Sequence, residues 1–237
     1  MAIKTNEPNQ LTTHKNPKSP LAEAYRTLRT NLGFTDMDKS TRSIMVTSTN
    51  PDEGKSTVIA NLAVAMAQAG NKVIVVDCDL RKPTQHKIFG IDNYHGFTNT
   101  LIQKTDVEKI AYQGLVDNLT VLTSGPIPPN PSEVLASGST RELFASLLGK
   151  YDYLLIDAPP VLAVADASIL SVQVDGVILI VKAGVTRTDM VIKAKEQLQK
   201  ANARLIGVVL NQVKREDDDY YYYYYSNETR EKATFKL

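Results

Sequence analysis

Short apolar runs separated by helix-period stretches fill the chain between residues 43 and 210. The runs Ser43–Thr47, Val73–Val76, Leu119–Leu122, Tyr153–Ile156, Val177–Val181 and Leu205–Leu210 are mostly continuous rather than alternating. That is the pattern of parallel strands buried on both faces. Between them, helical spacing predicts helices near Thr57–Ala69, Ser132–Leu148, Ala165–Val172 and Asp189–Ala201. Strand alternating with helix specifies an α/β fold: a doubly wound, mostly parallel sheet with helices on both faces. Upstream, Leu21, Ala24, Tyr25, Leu28 and Leu32 recur at three- and four-residue spacing and predict one further helix.

On either side the pattern stops. Residues 1–19 are polar, with Pro8 and Pro17, and read as a flexible extended arm. Residues 20–213 read as the core domain. From residue 214 to 237 apolar residues give way to charge and tyrosine, so this stretch reads as a tail. No internal repeat is visible, and no apolar run approaches the ~20 residues of a membrane span.

Charge narrows the function classes. Lys and Arg number 27 against 26 Asp and Glu, a net of +1, which excludes a globally basic nucleic-acid binder. No nucleic-acid partner is expected. One cysteine allows neither an internal disulfide nor a cysteine-based metal cluster, and the first twenty residues lack the apolar stretch of a secretory signal. A cytoplasmic location is expected. Tyrosine is the anomaly: six of the 11 are contiguous, Tyr220, Tyr221, Tyr222, Tyr223, Tyr224 and Tyr225, directly after Glu216, Asp217, Asp218 and Asp219. Those carboxylates keep the run solvated and argue against a packed strand.

Three strand ends carry chemistry. After the first run comes Thr49-Asn50-Pro51-Asp52-Glu53-Gly54-Lys55-Ser56-Thr57, which approximates a phosphate-binding loop around Gly54-Lys55-Ser56. Backbone N–H groups and the positive end of the following helix can surround a phosphate there. Lys55 would neutralise the β- and γ-oxygens, and the Ser56 hydroxyl would ligate Mg²⁺. The loop departs from the general pattern at Thr49, where a small residue is usual, and at Asp52, which adds a negative charge. The second run ends in Asp77-Cys78-Asp79-Leu80-Arg81-Lys82-Pro83 and the fourth in Asp157-Ala158-Pro159-Pro160. Ligands of open α/β sheets bind outside the carboxyl ends of strands, where a nucleotide–Mg²⁺ site needs carboxylates. Cys78, between two of these acids, reads as a small buried filler.

On these motifs the chain resembles the bacterial tyrosine kinases, the cytoplasmic kinases of capsular and exopolysaccharide loci in Gram-positive bacteria. The resemblance runs from about Ser19 to Tyr225. It rests on TNPDEGKST as the Walker A loop, VIVVDCDLRKP as a second Walker motif and LLIDAPP as Walker B. SGPIPPNPSEVL, EAYRTLR and the terminal tyrosines complete it. It implies a P-loop NTPase-like fold and an ATP- and Mg²⁺-dependent protein-tyrosine kinase that phosphorylates its own cluster, Tyr220 to Tyr225. Carried over residue by residue, Asp52, Glu53, Gly54, Lys55, Ser56 and Thr57 would bind nucleotide. Ser56, Asp77, Asp79 and Asp157 would form the metal shell, and Lys55 with the three aspartates the catalytic set. Asp77 is the candidate to face the incoming tyrosine hydroxyl. Asn211 resembles the residue that contacts adenine, its alternative being a strand-terminal turn residue.

Glu23, Arg26 and Arg29 share one side of a helix, where a Glu–Arg pair is available and a solvated face is the plain alternative. The resemblance makes them an oligomerisation element of a ring. It also implies a membrane adaptor of the chain-length-regulator type with an activating cytoplasmic tail, a cognate tyrosine phosphatase, and recruitment through the adaptor to the inner face of the membrane. Two other readings are a partitioning-type switch ATPase and a non-catalytic nucleotide-binding regulator. The first carries a signature lysine five residues before the loop lysine, where this chain has Asn50.

Overall fold

Strands that are apolar on both sides must be covered twice, and the computed structural model, which describes residues 11–35 and 41–213, has that arrangement. In chain order the elements are α1 (Thr12–Lys15), α2 (Pro20–Thr35), β1 (Ser43–Ser48), α3 (Lys55–Ala67), β2 (Val73–Asp77), α4 (Gln85–Phe89), α5 (Phe97–Ile102) and α6 (Val107–Ile110). There follow β3 (Tyr112–Gln113), β4 (Leu119–Leu122), α7 (Pro131–Ala136), α8 (Gly138–Leu148), β5 (Tyr153–Asp157), α9 (Asp166–Ser171), β6 (Gly176–Lys182), α10 (Thr188–Lys200) and β7 (Leu205–Asn211). The seven strands form one sheet in the order β3-β4-β2-β5-β1-β6-β7. All pairings are parallel except the short β3–β4 ribbon. The six runs read from sequence are β1, β2, β4, β5, β6 and β7.

Each face has its own core. On one side Ile44, Val46, Val75 and Leu155 pack against α3, with Leu11 and Tyr25 outside it. Every residue of α3 but Lys55 and Thr57 is buried, because α1 and α2 cover the side that the sheet does not. On the other side Met45, Ile74, Ile156 and Leu179 meet Phe144 and Leu147 of α8, Leu170 of α9 and Leu198 of α10. Cys78 is fully buried in this second core, as a filler would be.

Two local readings differ from the fold. The stretch 11–15 is a helical turn rather than extended chain: Leu11 and Thr13 are buried, Thr13 N–H donates to Asn61 Oδ1 at 3.0 Å, and Gln68 Nε2 donates to the Thr13 carbonyl. One apolar side chain and a buried amide acceptor on α3 are enough to dock it. The helix expected over 132–148 is two helices. Ser137 leaves the helical conformation at ψ 153°, and its hydroxyl accepts from Thr140 N–H, so it caps α8 and stops α7. α2 begins as the sequence suggests, with the Ser19 hydroxyl accepting from Ala22 N–H and Pro20 in the first turn.

Among the described residues no helix is long and apolar enough to cross a membrane.

Candidate active site

The carboxyl ends of β1, β5, β2 and β7 converge on one loop. Between β1 and α3 the chain turns through Asp52 at φ 63° and Gly54 at φ 90°. Gly54 is required twice over: the positive φ favours glycine, and a Cβ there would lie 2.3 Å from Asn211 Nδ2. Glu53 is buried and braces the loop, one oxygen accepting from Thr49 N–H at 2.8 Å and the other from the Thr186 hydroxyl. Thr49, which the general pattern would make small, is fully buried, and its hydroxyl makes no hydrogen bond. Lys55, Ser56 and Thr57 open α3, whose N-terminal N–H groups face the loop.

Four charged groups meet below it. Lys55 Nζ lies 2.8 Å from Asp79 Oδ2, 3.1 Å from Ser56 Oγ and 3.6 Å from Asp157 Oδ1. Asp77 and Asp157, neighbours on parallel strands, are both wholly buried. Asp77 accepts backbone N–H bonds from Asp79, Thr84 and Gln85. Asp157 Oδ2 accepts from Gln85 Nε2 at 2.7 Å, whereas its Oδ1 makes no hydrogen bond. Burial, and then the Asp157 charge, pushes Asp77 up to about 8. Burial also raises Asp157, against the pull of the Lys55 ammonium. Burial alone would lower Lys55, but Asp157 and Asp79 more than offset it, so its net shift is upward.

Three carboxylates against one ammonium leave a buried excess of negative charge, which a divalent cation would relieve. The donors are oxygens, one of them a buried carboxylate oxygen without a hydrogen bond, and suit a hard ion. Among the described residues no three His, Cys, Asp or Glu side chains make a self-sufficient metal cage. A nucleotide-borne Mg²⁺ needs none, since it keeps waters and takes phosphate oxygens.

The sequence-chosen residues Asp52, Glu53, Gly54, Lys55, Ser56, Thr57, Asp77, Asp79, Asp157 and Asn211 are thus together. Asn211, the last residue of β7, donates from Nδ2 to the Glu53 carbonyl at 2.9 Å. Asp52, Gly54, Lys55, Ser56, Thr57 and Asp79 line a cavity of about 780 Å³ that also reaches Lys82, Lys87 and Ile127. Glu23, Arg26 and Arg29 lie apart, on α2. Glu23 and Arg26 form the expected pair; Arg26 also donates to the Pro17 carbonyl, and Arg29 to the Ala65 carbonyl at 3.0 Å. Tyr220 to Tyr225 lie outside the described residues.

Two functional-looking residues escaped the sequence reading. Gln85 is fully buried and spans Asp157 and the Ser56 carbonyl with one amide nitrogen. The Thr84 hydroxyl donates to Ser56 Oγ at 3.2 Å. Neither carries a motif. The available cue was only that both fall seven to eight residues past a strand-end aspartate.

Comparison with known proteins places this geometry. A family model described as NUBPL iron-transfer P-loop NTPase, of the ParA type, matches residues 39–234. A tyrosine-protein kinase of Bacillus subtilis, YwqD, is 46% identical over 82% of this chain and 82% of its own. The tyrosine-protein kinase etk of Escherichia coli is 34% identical over 84% of this chain, which spans 27% of that longer protein. Among solved structures, the chimerical protein CapA2B2 superposes with a TM-score of 0.84 at 42% identity, over 88% of this chain and 92% of that one. The septum site-determining protein MinD of Pyrococcus horikoshii, complexed with Mg-ADP, reaches 0.62 at 28% identity over 75% and 72%.

Proposed function

We propose that this chain, which belongs to the bacterial tyrosine kinases of the P-loop NTPase superfamily, transfers the γ-phosphoryl group of MgATP to tyrosines of its own cluster, Tyr220 to Tyr225. The observation that carries the reading is the convergence of Lys55, Asp77, Asp79 and Asp157 beneath a glycine-pinched phosphate loop. The iron-transfer role in the family model's description finds no thiolate pair, since the chain has one cysteine and it is buried.

Phosphoryl transfer asks for positioning and charge neutralisation more than for covalent chemistry. The N–H groups of 52–57 surround the phosphates, and Lys55 exchanges its carboxylate partners for phosphate oxygens. Ser56, Asp77, Asp79 and Asp157 would hold a magnesium ion, directly or through water, and that ion would supply positive charge to the phosphate oxygens. Asn211 holds the base at the β7 side. The tyrosine Oη forms a bond to Pγ as the bond from Pγ to the β-phosphate bridging oxygen breaks. The phenolic proton passes to a carboxylate, for which Asp77 is the candidate. Products are ADP and phosphotyrosine.

Each phosphate adds about −1.5 to −2 charges to a tail already bearing Glu216 to Asp219, which disfavours close packing of neighbouring copies. A ring assembled through Glu23, Arg26 and Arg29 would therefore loosen as the tails fill, and a cognate phosphatase would restore it. Recruitment to the inner face of the membrane by an adaptor, activation by that adaptor's cytoplasmic tail, and control of capsular or exopolysaccharide synthesis, chain length or export complete the reading.

Mass spectrometry of the protein after incubation with ATP and Mg²⁺, alone and with an adaptor tail, tests it. Phosphate on Tyr220–Tyr225 that is lost in Lys55→Met is the expected result. ATP binding without phosphotyrosine in either preparation would leave a switch ATPase of the MinD kind or a nucleotide-binding regulator.

A further inference from the structure

We propose that the loops following β2, β4 and β5 form an acceptor groove that selects an acidic, tyrosine-bearing segment, residues 216–225 of this protein, through Lys82 and Lys87 and through an apolar lip of Ile127, Pro160 and Ala163. The proposal rests on the phosphotransfer reading above and names what that site accepts.

With the base held at Asn211, as proposed above, the side of approach follows. In an in-line displacement the attacking and leaving oxygens lie on opposite sides of the phosphorus. The strand order puts Asn211, the base end, two strands from β1 in one direction and β5, β2 and β4 in the other. ADP leaves toward β7, so the tyrosine arrives across the β5, β2 and β4 loops. The cavity of about 780 Å³ extends that way, and Lys82, Lys87, Ile127, Pro160 and Ala163 line it.

Both walls are built rather than incidental. Lys82 and Lys87 are exposed, and neither lies within ion-pair distance of a carboxylate among the described residues. Their neighbour Arg81 differs: it is committed to Asp166 at 2.7 Å and to Ser132, which pins the loop that carries Lys82. The acids lining the same cavity, Asp52 and Asp79, sit at its phosphate-loop end, and Asp79 is held by Lys55. Ile127, which lines the same cavity, is 62% exposed although its loop is tied down. Gly125 N–H donates to Asn93 Oδ1 at 2.9 Å, and the Thr98 hydroxyl donates to the Pro126 carbonyl at 2.9 Å. The Thr47 hydroxyl likewise holds the Pro159 carbonyl at 2.7 Å. A large aliphatic side chain held rigidly in water beside prolines is a surface awaiting an apolar partner.

The segment 216–225 matches both walls. Its four carboxylates precede the phenols without interruption, so cations can take the former while a ring lies on the lip. It follows β7 closely in the chain, which ends at Asn211 on the phosphate loop itself.

The test uses the full chain and a fluorescent peptide of residues 216–225, with peptide affinity and nucleotide affinity read on the same samples by anisotropy and calorimetry. Lys82→Glu combined with Lys87→Glu should weaken the acidic peptide roughly tenfold or more. A peptide with Asn and Gln in place of the four acids should be indifferent to the variant, and one with four lysines should bind the variant better than the wild type. Ile127→Asp should weaken all three peptides. Equal binding of the acidic peptide to variant and wild type, or equal losses for acidic and neutral peptides, overturns the groove and leaves a solvated basic face. Loss of nucleotide binding in the variant would place the lysines on the nucleotide and overturn it too. Peptide binding that obeys these rules without any phosphate transfer would keep the groove while refuting the kinase reading.

Discussion

Replacing Gln85 by Leu removes the buried amide that bridges Asp157, at the end of β5, to the phosphate-loop helix, and its cost can be worked from the contacts. Asp157 Oδ2 loses a donor at 2.7 Å in a fully buried setting. A hydrogen bond to a charged acceptor contributes about 1.5–3 kcal/mol. The Ser56 carbonyl loses a bond of 3.1 Å, about 1 kcal/mol. Against this, Gln85 Oε1 is itself buried without a partner, and deleting it returns about 1 kcal/mol. Leu is close in volume, so no large cavity opens. The balance is a loss of about 1.5–3 kcal/mol, or roughly 3–12 °C in Tm for a domain of this size. Urea unfolding of Gln85→Leu in the presence of a chelator measures it. Asp157→Asn supplies the second arm of a double-mutant cycle, because a neutral residue at 157 needs the donor less; the coupling should reach about 1 kcal/mol. A loss under about 0.5 kcal/mol, or strict additivity, would refute the bridge.

Asp77 gives a pH dependence. Its carboxyl is pushed up to about 8, above its value of about 4 in an unfolded chain. Between these values the folded state therefore holds the extra proton, and the contribution of this group to stability is complete below about pH 4 and lost as pH rises through 8. Metal-free melts of Asp77→Asn should accordingly be flatter than wild type from pH 5 to 8, and parallel curves would reject the assignment. Gly54→Ala forces a Cβ to within 2.3 Å of Asn211 Nδ2 at φ 90°, so nucleotide affinity by calorimetry should fall roughly tenfold or more even where the fold survives. Arg29→Ala removes the bond to the Ala65 carbonyl and should cost about 1 kcal/mol in an isolated monomer, measured by urea unfolding below the association concentration. An unchanged monomer would assign Arg29 wholly to subunit contact.

Continuous apolar runs made the strands legible because parallel strands covered on both faces leave no room for polar residues, as the fully buried pattern of β1 and β2 attests. The phosphate loop and its aspartates were legible because their chemistry demands particular residue types at short spacing. Gln85 was not. Its partners Ser56 and Asp157 are 29 and 72 residues away, and a glutamine at the start of a five-residue helix looks like any surface polar residue until the sheet order brings β2 beside β5. The break at Ser137 was hidden for the opposite reason. Apolar spacing continues across it, and only the cap chemistry of Ser137 with Thr140 separates the helices. Leu11 read as part of a polar arm because one buried leucine is too weak a periodic signal to announce a docked turn.

Among the described residues β7 ends the sheet with one side unpaired, and Val208 and Leu210 on it are more than half exposed, as is Val213 just beyond. Such an edge is a template onto which another chain can add. The charged run that follows in the sequence is Lys214 to Asp219, so the charges that precede the tyrosines also act as gatekeepers for the edge they follow. A control made by truncating the chain after Val213 would thus change colloidal behaviour along with phosphate acceptance. Exchange of the six tyrosines for phenylalanine keeps the carboxylates in place and separates the two.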